Sequence, residues 1–117
     1  IPCYKIAEDD RFIAFLDVSP IKKGHTLVVP KAQIDYLFDL DDSLLSDLMI
    51  FAKKVAQKMQ SAISCERIGI AVIGLEVPHA HIHLVPLDTV GDIDFSQPKL
   101  QLSAKEMTEI ADSIRIN

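Results

Sequence analysis

With 117 residues, 49% of them apolar and 25% charged, the chain is sized and composed for one folded domain spanning 1–117, and a disordered segment is excluded. A net charge of −5 argues against bulk binding to a nucleic acid polymer or an anionic membrane surface, and no run of eighteen apolar residues marks a membrane span. Cys3 and Cys65 form no CxxC motif and no disulfide framework, so they read as free thiols of a reducing compartment, the cytoplasm.

Taken in order, residues 4–8 predict a short edge strand, turned by Asp9-Asp10. The apolar run Phe12 to Val18 predicts a buried strand. Asp17 near its end reads equally well as a turn-forming carboxylate before Ser19-Pro20 and as a functional group. A loop over 19–24, with Lys22 and Lys23 exposed, leads into a strand from His25 to Pro30, forming a hairpin. Residues 31–38 predict a short helix or turn. Asp41-Asp42-Ser43 supplies capping groups. Leu44, Leu48, Phe51, Val55, Met59 and Ala62 then recur at helical spacing, predicting an amphipathic helix from about Asp42 to Ile63. Lys53, Lys54 and Lys58 would suit its dipole. Arg67 to Leu75 predicts a second buried strand. Residues 89–102 predict a polar loop, and Ser103 to Glu106 has capping-box spacing for a last helix with Met107, Ile110, Ala111 and Ile114 inward. Strands joined by hairpins and followed by helices give an α+β fold: an antiparallel sheet with one long and one C-terminal helix.

The most informative stretch is His79-Ala80-His81-Ile82-His83-Leu84-Val85-Pro86, which holds three of the four histidines. Strict alternation ended by proline predicts a strand, with His79, His81 and His83 on one face and Ala80, Ile82 and Leu84 in the core. A row of unemployed surface histidines is the competing explanation, but three in register are hard to reach by chance. Imidazoles titrate near neutrality, so neighbours can serve as nucleophile, acid and charge stabiliser. Metal binding is the other chemistry open to three histidines. Against it, the rise of a strand places the outer Cα atoms about 13–14 Å apart. The fourth histidine, His25, follows Gly24 at a strand start, where it can join the others.

These residues resemble the histidine triad (HIT) family, in its nucleotide-hydrolase branch of bacterial Hint-like proteins. His79 to Val85 matches the family's alternating triad. Gly24 to Lys31 is similar to its upstream segment, and Glu8 to Pro20 to its opening hairpin. The resemblance implies a metal-free nucleotidyl hydrolase or transferase, without cofactor, that cleaves the α-phosphate bond of a purine nucleotide conjugate, a phosphoramidate or dinucleoside polyphosphate. It implies that His81 is the nucleophile forming a nucleotidyl-histidine, with His79, His83 and His25 as the other catalytic histidines. It places Asp17 on the ribose hydroxyls and Phe15 and Val18 against the base. It also implies a homodimer, and a short segment upstream of Ile1, which is not a methionine. The chain departs from the family pattern at Ile68, where relatives carry asparagine, and at Gly74-Leu75-Glu76, where they carry a polar run. The rival expectation is a nucleotide-binding regulatory module with little turnover.

Overall fold

The alternating apolar segments build one five-stranded antiparallel sheet in a computed structural model that describes residues 3–116. Ile1, on which the expectation of an upstream segment rests, lies outside the described residues. The strands are β1 (Lys5–Glu8), β2 (Phe12–Leu16), β3 (Thr26–Pro30), β4 (Arg67–Ala71) and β5 (Ile82–Leu87), in the spatial order β1-β2-β3-β5-β4. Helix α1 (Asp42–Ala62) separates β3 from β4, and α2 (Ala104–Ile114) ends the fold. The α+β reading is therefore correct. Among the described residues no helix is long and apolar enough to cross a membrane.

Cross-strand register sorts the side chains onto two faces. Ala14 opposes Val28, which opposes Ile82; Leu16 opposes Thr26, which opposes Leu84. All of these are buried. This face meets Leu48, Ala52, Val55 and Met59 of α1 and Met107, Ala111 and Ile114 of α2. Each large side chain removed from water there contributes about 1.5–3 kcal/mol. The other face carries a row in which Phe15 opposes Leu27, Leu27 opposes His83, and His83 opposes Ala71. Period-two geometry thus puts His83 on the far side of the sheet from the core.

Capping is as the sequence predicts. The Asp41 carboxylate accepts the Leu44 N–H at 2.7 Å, and Ser103 and Glu106 form a reciprocal capping box. The lysines expected at the end of α1 fall short of it: the last turn holds no basic residue. The segment after Pro30 is irregular, with one 3₁₀ turn at Leu37–Asp39, and a second 3₁₀ turn at Val90–Ile93 interrupts the expected polar loop. Lys22 is half-buried rather than exposed, paired with Asp92 at 3.2 Å.

Two strand expectations need correction. The strand expected over 67–75 stops at Ala71 and is not buried. It is the outer strand of the sheet, Ile70 is 49% exposed, and Leu75 beyond it is 87% exposed. The strand expected from His79 begins only at Ile82. Strand β3 pairs with residues 82–84 alone, and the Ala80 N–H goes instead to the Ile34 carbonyl at 2.8 Å. Ala80 is buried all the same. At the opposite edge, the C-terminal residues lie on β1: the Ile116 N–H donates to the Ile6 carbonyl at 2.8 Å and Arg115 Nε to the Lys5 carbonyl at 3.1 Å.

Leu48 is fully buried in this core and far along the chain from the histidines. Leu48→Ala leaves a cavity, and a loss of about 2–5 kcal/mol is expected. Urea unfolding should show a lower midpoint with an unchanged slope.

Candidate active site

The loop between β2 and β3 is built to place one ring. Gly24 has φ +91°, and a Cβ there would lie 2.4 Å from Ile63 Cδ1, so only glycine fits without strain. His25 follows. Its backbone N–H donates to the Lys22 carbonyl at 3.0 Å, and its carbonyl accepts the Asp17 N–H at 2.9 Å. The ring is 1% exposed.

Hydrogen bonds fix the proton positions in a chain. The Ile21 N–H donates to His25 Nδ1 at 3.2 Å, so that nitrogen carries the lone pair. The His25 proton is therefore on Nε2, which lies 2.9 Å from His83 Nδ1 and donates to it. His83 in turn keeps its proton on Nε2. Separately, His81 Nδ1 lies 2.8 Å from the His79 carbonyl. A carbonyl only accepts, so His81 is protonated at Nδ1, and the tautomer this bond selects carries its lone pair on Nε2. The His81 and His83 rings meet edge to face with centroids 4.9 Å apart, and those of His83 and His25 lie 5.2 Å apart.

His79 does not join this cluster through its ring. Its Nε2 donates to the Pro30 carbonyl at 2.7 Å, because residues 79–81 precede the strand and do not follow its pleat. The expected row of three imidazoles on one face is thus a pair, His81 and His83, joined by His25. His79 acts on His81 through its backbone carbonyl.

A cleft of about 470 Å³ opens over the pair. Asp17, Ser19, His25, Leu27, His81 and His83 line one part of it, and residues 73–77 line another. The Asp17 carboxylate accepts the Ser19 N–H at 2.8 Å and lies 3.7 Å from His25 Nε2. Phe15 and Val18 are outside the lining. Phe15 shares the sheet face of Leu27 and His83, and Val18 is 58% exposed. A second hollow of about 480 Å³ lies beside β1, where Glu8 is satisfied by Lys5 at 3.0 Å and Lys31 at 2.7 Å.

Two further lining residues, Phe95 and Lys99, come from the segment expected to be only a polar loop. Phe95 packs its ring against His83 at 4.7 Å and His25 at 5.9 Å, and Lys99 Nζ sits 5.7 Å from the Phe95 centroid. Phe95 is the only aromatic residue of the segment 89–102, which was the available signal. Burial pushes both His25 and His83 toward the neutral form. His83 is lowered to about 4, with the neighbouring His25 and His81 adding to the effect and Asp17 opposing it.

Donor atoms of Asp17, His25 and His83 lie within 4.8 Å of one another, which invites a metal. The Ile21 N–H argues against it. A cation at His25 Nε2 would force the proton onto Nδ1, against a backbone donor.

A family model described as HIT domain matches residues 1–90. The chain belongs to the HIT family. An HIT-like protein of Borreliella burgdorferi is 32% identical over all of this chain and 90% of its own length. Adenosine 5'-monophosphoramidase hnt1 of Schizosaccharomyces pombe is 35% identical, over 74% of this chain and 65% of that enzyme. Among solved structures, a Hit-like protein from Bartonella henselae superposes with a TM-score of 0.85 at 30% identity, covering 98% of this chain and 86% of that one. The HIT match ends before Phe95 and Lys99.

The lowered His83 predicts a pH dependence. The unfolded chain takes up a proton near pH 6.5, and the folded one only near about 4. The unfolded state therefore binds more protons between these values. The stability linked to His83 is complete above about pH 6.5 and declines as pH falls toward the folded value. An NMR titration of the imidazole nitrogens should place the His83 midpoint near the lower figure; a midpoint at or above 6.5 contradicts this electrostatic picture.

Proposed function

We propose that the cleft hydrolyses the α-phosphate bond of a purine nucleotide conjugate through a nucleotidyl intermediate on His81. The observation that carries this reading is the Nδ1–H bond from His81 to the His79 carbonyl, which selects the tautomer with its lone pair on Nε2, on a ring lining the cleft. Attack by Nε2 forms a P–N bond while the leaving group departs with its electron pair. His83, held neutral with a proton on Nε2, donates a hydrogen bond to the charge that develops beside it. Water then cleaves the P–N bond, and Nε2 recovers its lone pair. In this reading Asp17 binds the ribose hydroxyls, and the apolar face of Leu27, with Phe15 and Val18 further out, receives the base. HIT relatives named as adenosine 5'-monophosphoramidases and as a bis(5'-nucleosyl)-tetraphosphatase support the substrate class. The chain aligns with 65%, 55% and 54% of those enzymes.

His81→Asn keeps the size of the ring's polar edge but removes the nucleophilic nitrogen. Single-turnover hydrolysis of an adenosine phosphoramidate should fall by several orders of magnitude. Acid-quenched mass spectrometry of the wild type should find the adduct on His81. An adduct on His79 or His83, or a variant within about tenfold of wild type, contradicts the assignment. Nucleotide binding with no turnover in the wild type would mark the regulatory module instead.

The same reading includes a homodimer through β4. That strand is at the sheet edge and exposes Ile70, followed by Val72 and Ile73, while α1, which packs on the sheet, exposes Met49 and Ile50. Open strand edges and clustered apolar surface favour pairing. Light scattering should give twice 13.0 kDa at micromolar concentration, and Ile70→Lys should shift it to the monomer mass.

A further inference from the structure

The cleft has an imbalance of charge for a phosphate substrate. Asp17 and Glu76 both line it, and among the described residues Lys99 is the only lysine or arginine that does. Among the described residues, none of the ion pairs uses Lys99. Its ammonium faces Phe95, which packs on His83 and His25, and its charge reaches both of those imidazoles.

The segment bearing these two residues is held from several directions. The Leu100 N–H donates to the Pro20 carbonyl at 2.8 Å. The Gln97 side-chain amide donates to the carbonyls of Asp92 at 3.1 Å and Asp94 at 2.8 Å. The Ser96 N–H donates to the Asp94 carboxylate at 2.9 Å. Lys99 is thus carried on an anchored backbone, and its flexible stem lets the ammonium follow an anion.

We propose that Lys99, seated on Phe95, binds the leaving group of the nucleotide substrate and selects one that departs as an anion, a nucleoside polyphosphate, over one that departs as an amine. The proposal rests on the hydrolase reading above. In an anhydride, His81 Nε2 bonds to the α-phosphorus and the bridging P–O bond breaks. The oxygen keeps the electron pair and leaves as a phosphate with one more negative charge, needing no proton. A fixed ammonium stabilises that charge as it forms. In a phosphoramidate the P–N bond breaks and the nitrogen leaves as an amine after taking a proton from water. No anion develops there for Lys99 to stabilise.

The test compares kcat/KM for diadenosine tetraphosphate and adenosine 5'-monophosphoramidate in wild type, Lys99→Met and Lys99→Arg. The expected result is that Lys99→Met lowers the ratio of the two by at least about tenfold and that Lys99→Arg restores most of it. A ratio unchanged within about twofold overturns the proposal, even if both rates fall together. If the wild type turns over neither compound, the hydrolase reading fails. Calorimetry with ADP and adenosine then decides Lys99 on its own: a selective loss of ADP affinity in Lys99→Met supports the anionic contact, and an equal effect on both ligands overturns it.

Discussion

One backbone hydrogen bond, from the Ile21 N–H to His25 Nδ1, governs the chemistry of the cleft. It decides where the proton of a buried ring resides, and through that ring where the proton of His83 resides. Without it, His25 Nε2 and His83 Nδ1, 2.9 Å apart, could present two lone pairs to each other or to a cation. The bond exists because the β2–β3 loop makes a left-handed step at Gly24 and returns the chain so that His25 faces its own loop. The tautomer of a buried ring is thus a product of turn geometry.

Burial then does what hydrogen bonding alone does not. A surface imidazole near pH 7 is a mixture of charged and neutral forms; His25 and His83 are 1% and 9% exposed, and both are driven to the neutral form. The Phe95 ring packs edge-on against both of them. Asp17 pulls the other way on both rings. The site is a balance in which desolvation dominates, and the nearby carboxylate acts on a relay that stays uncharged.

How far the sequence could be read depended on whether a residue's surroundings were local. Ala80, Ile82 and Leu84 are buried as alternation demands, and the Asp41 and Ser103 caps are where short-range spacing puts them. The same alternation misplaced His79, because a strand pleat needs a partner and β3 supplies one only from Ile82 onward. In β4 the apolar run predicts burial, but an edge strand with an unshielded face has the same composition as a central one. A main-chain oxygen, that of His79, orients His81, and main-chain oxygens leave no mark in composition. Phe95 and Lys99 reach the histidines from a segment that shares no periodicity with them, so only the fold could bring them in.

The covering of β1 by residues 115 and 116 has a consequence for how such sheets grow. An open β-sheet has two margins at which another strand can attach, and a molecule with both margins free can add neighbours without limit. Here Ile116 and Arg115 already occupy carbonyls of β1, while among the described residues β4 forms the other margin with no further strand beside it. A unit that is adhesive on one side only can join one other and then has nothing left to offer. Two copies meeting at β4 would leave no open margin of either sheet for a third, so an apolar edge of this kind would be closed off in a pair where it would otherwise extend into a filament.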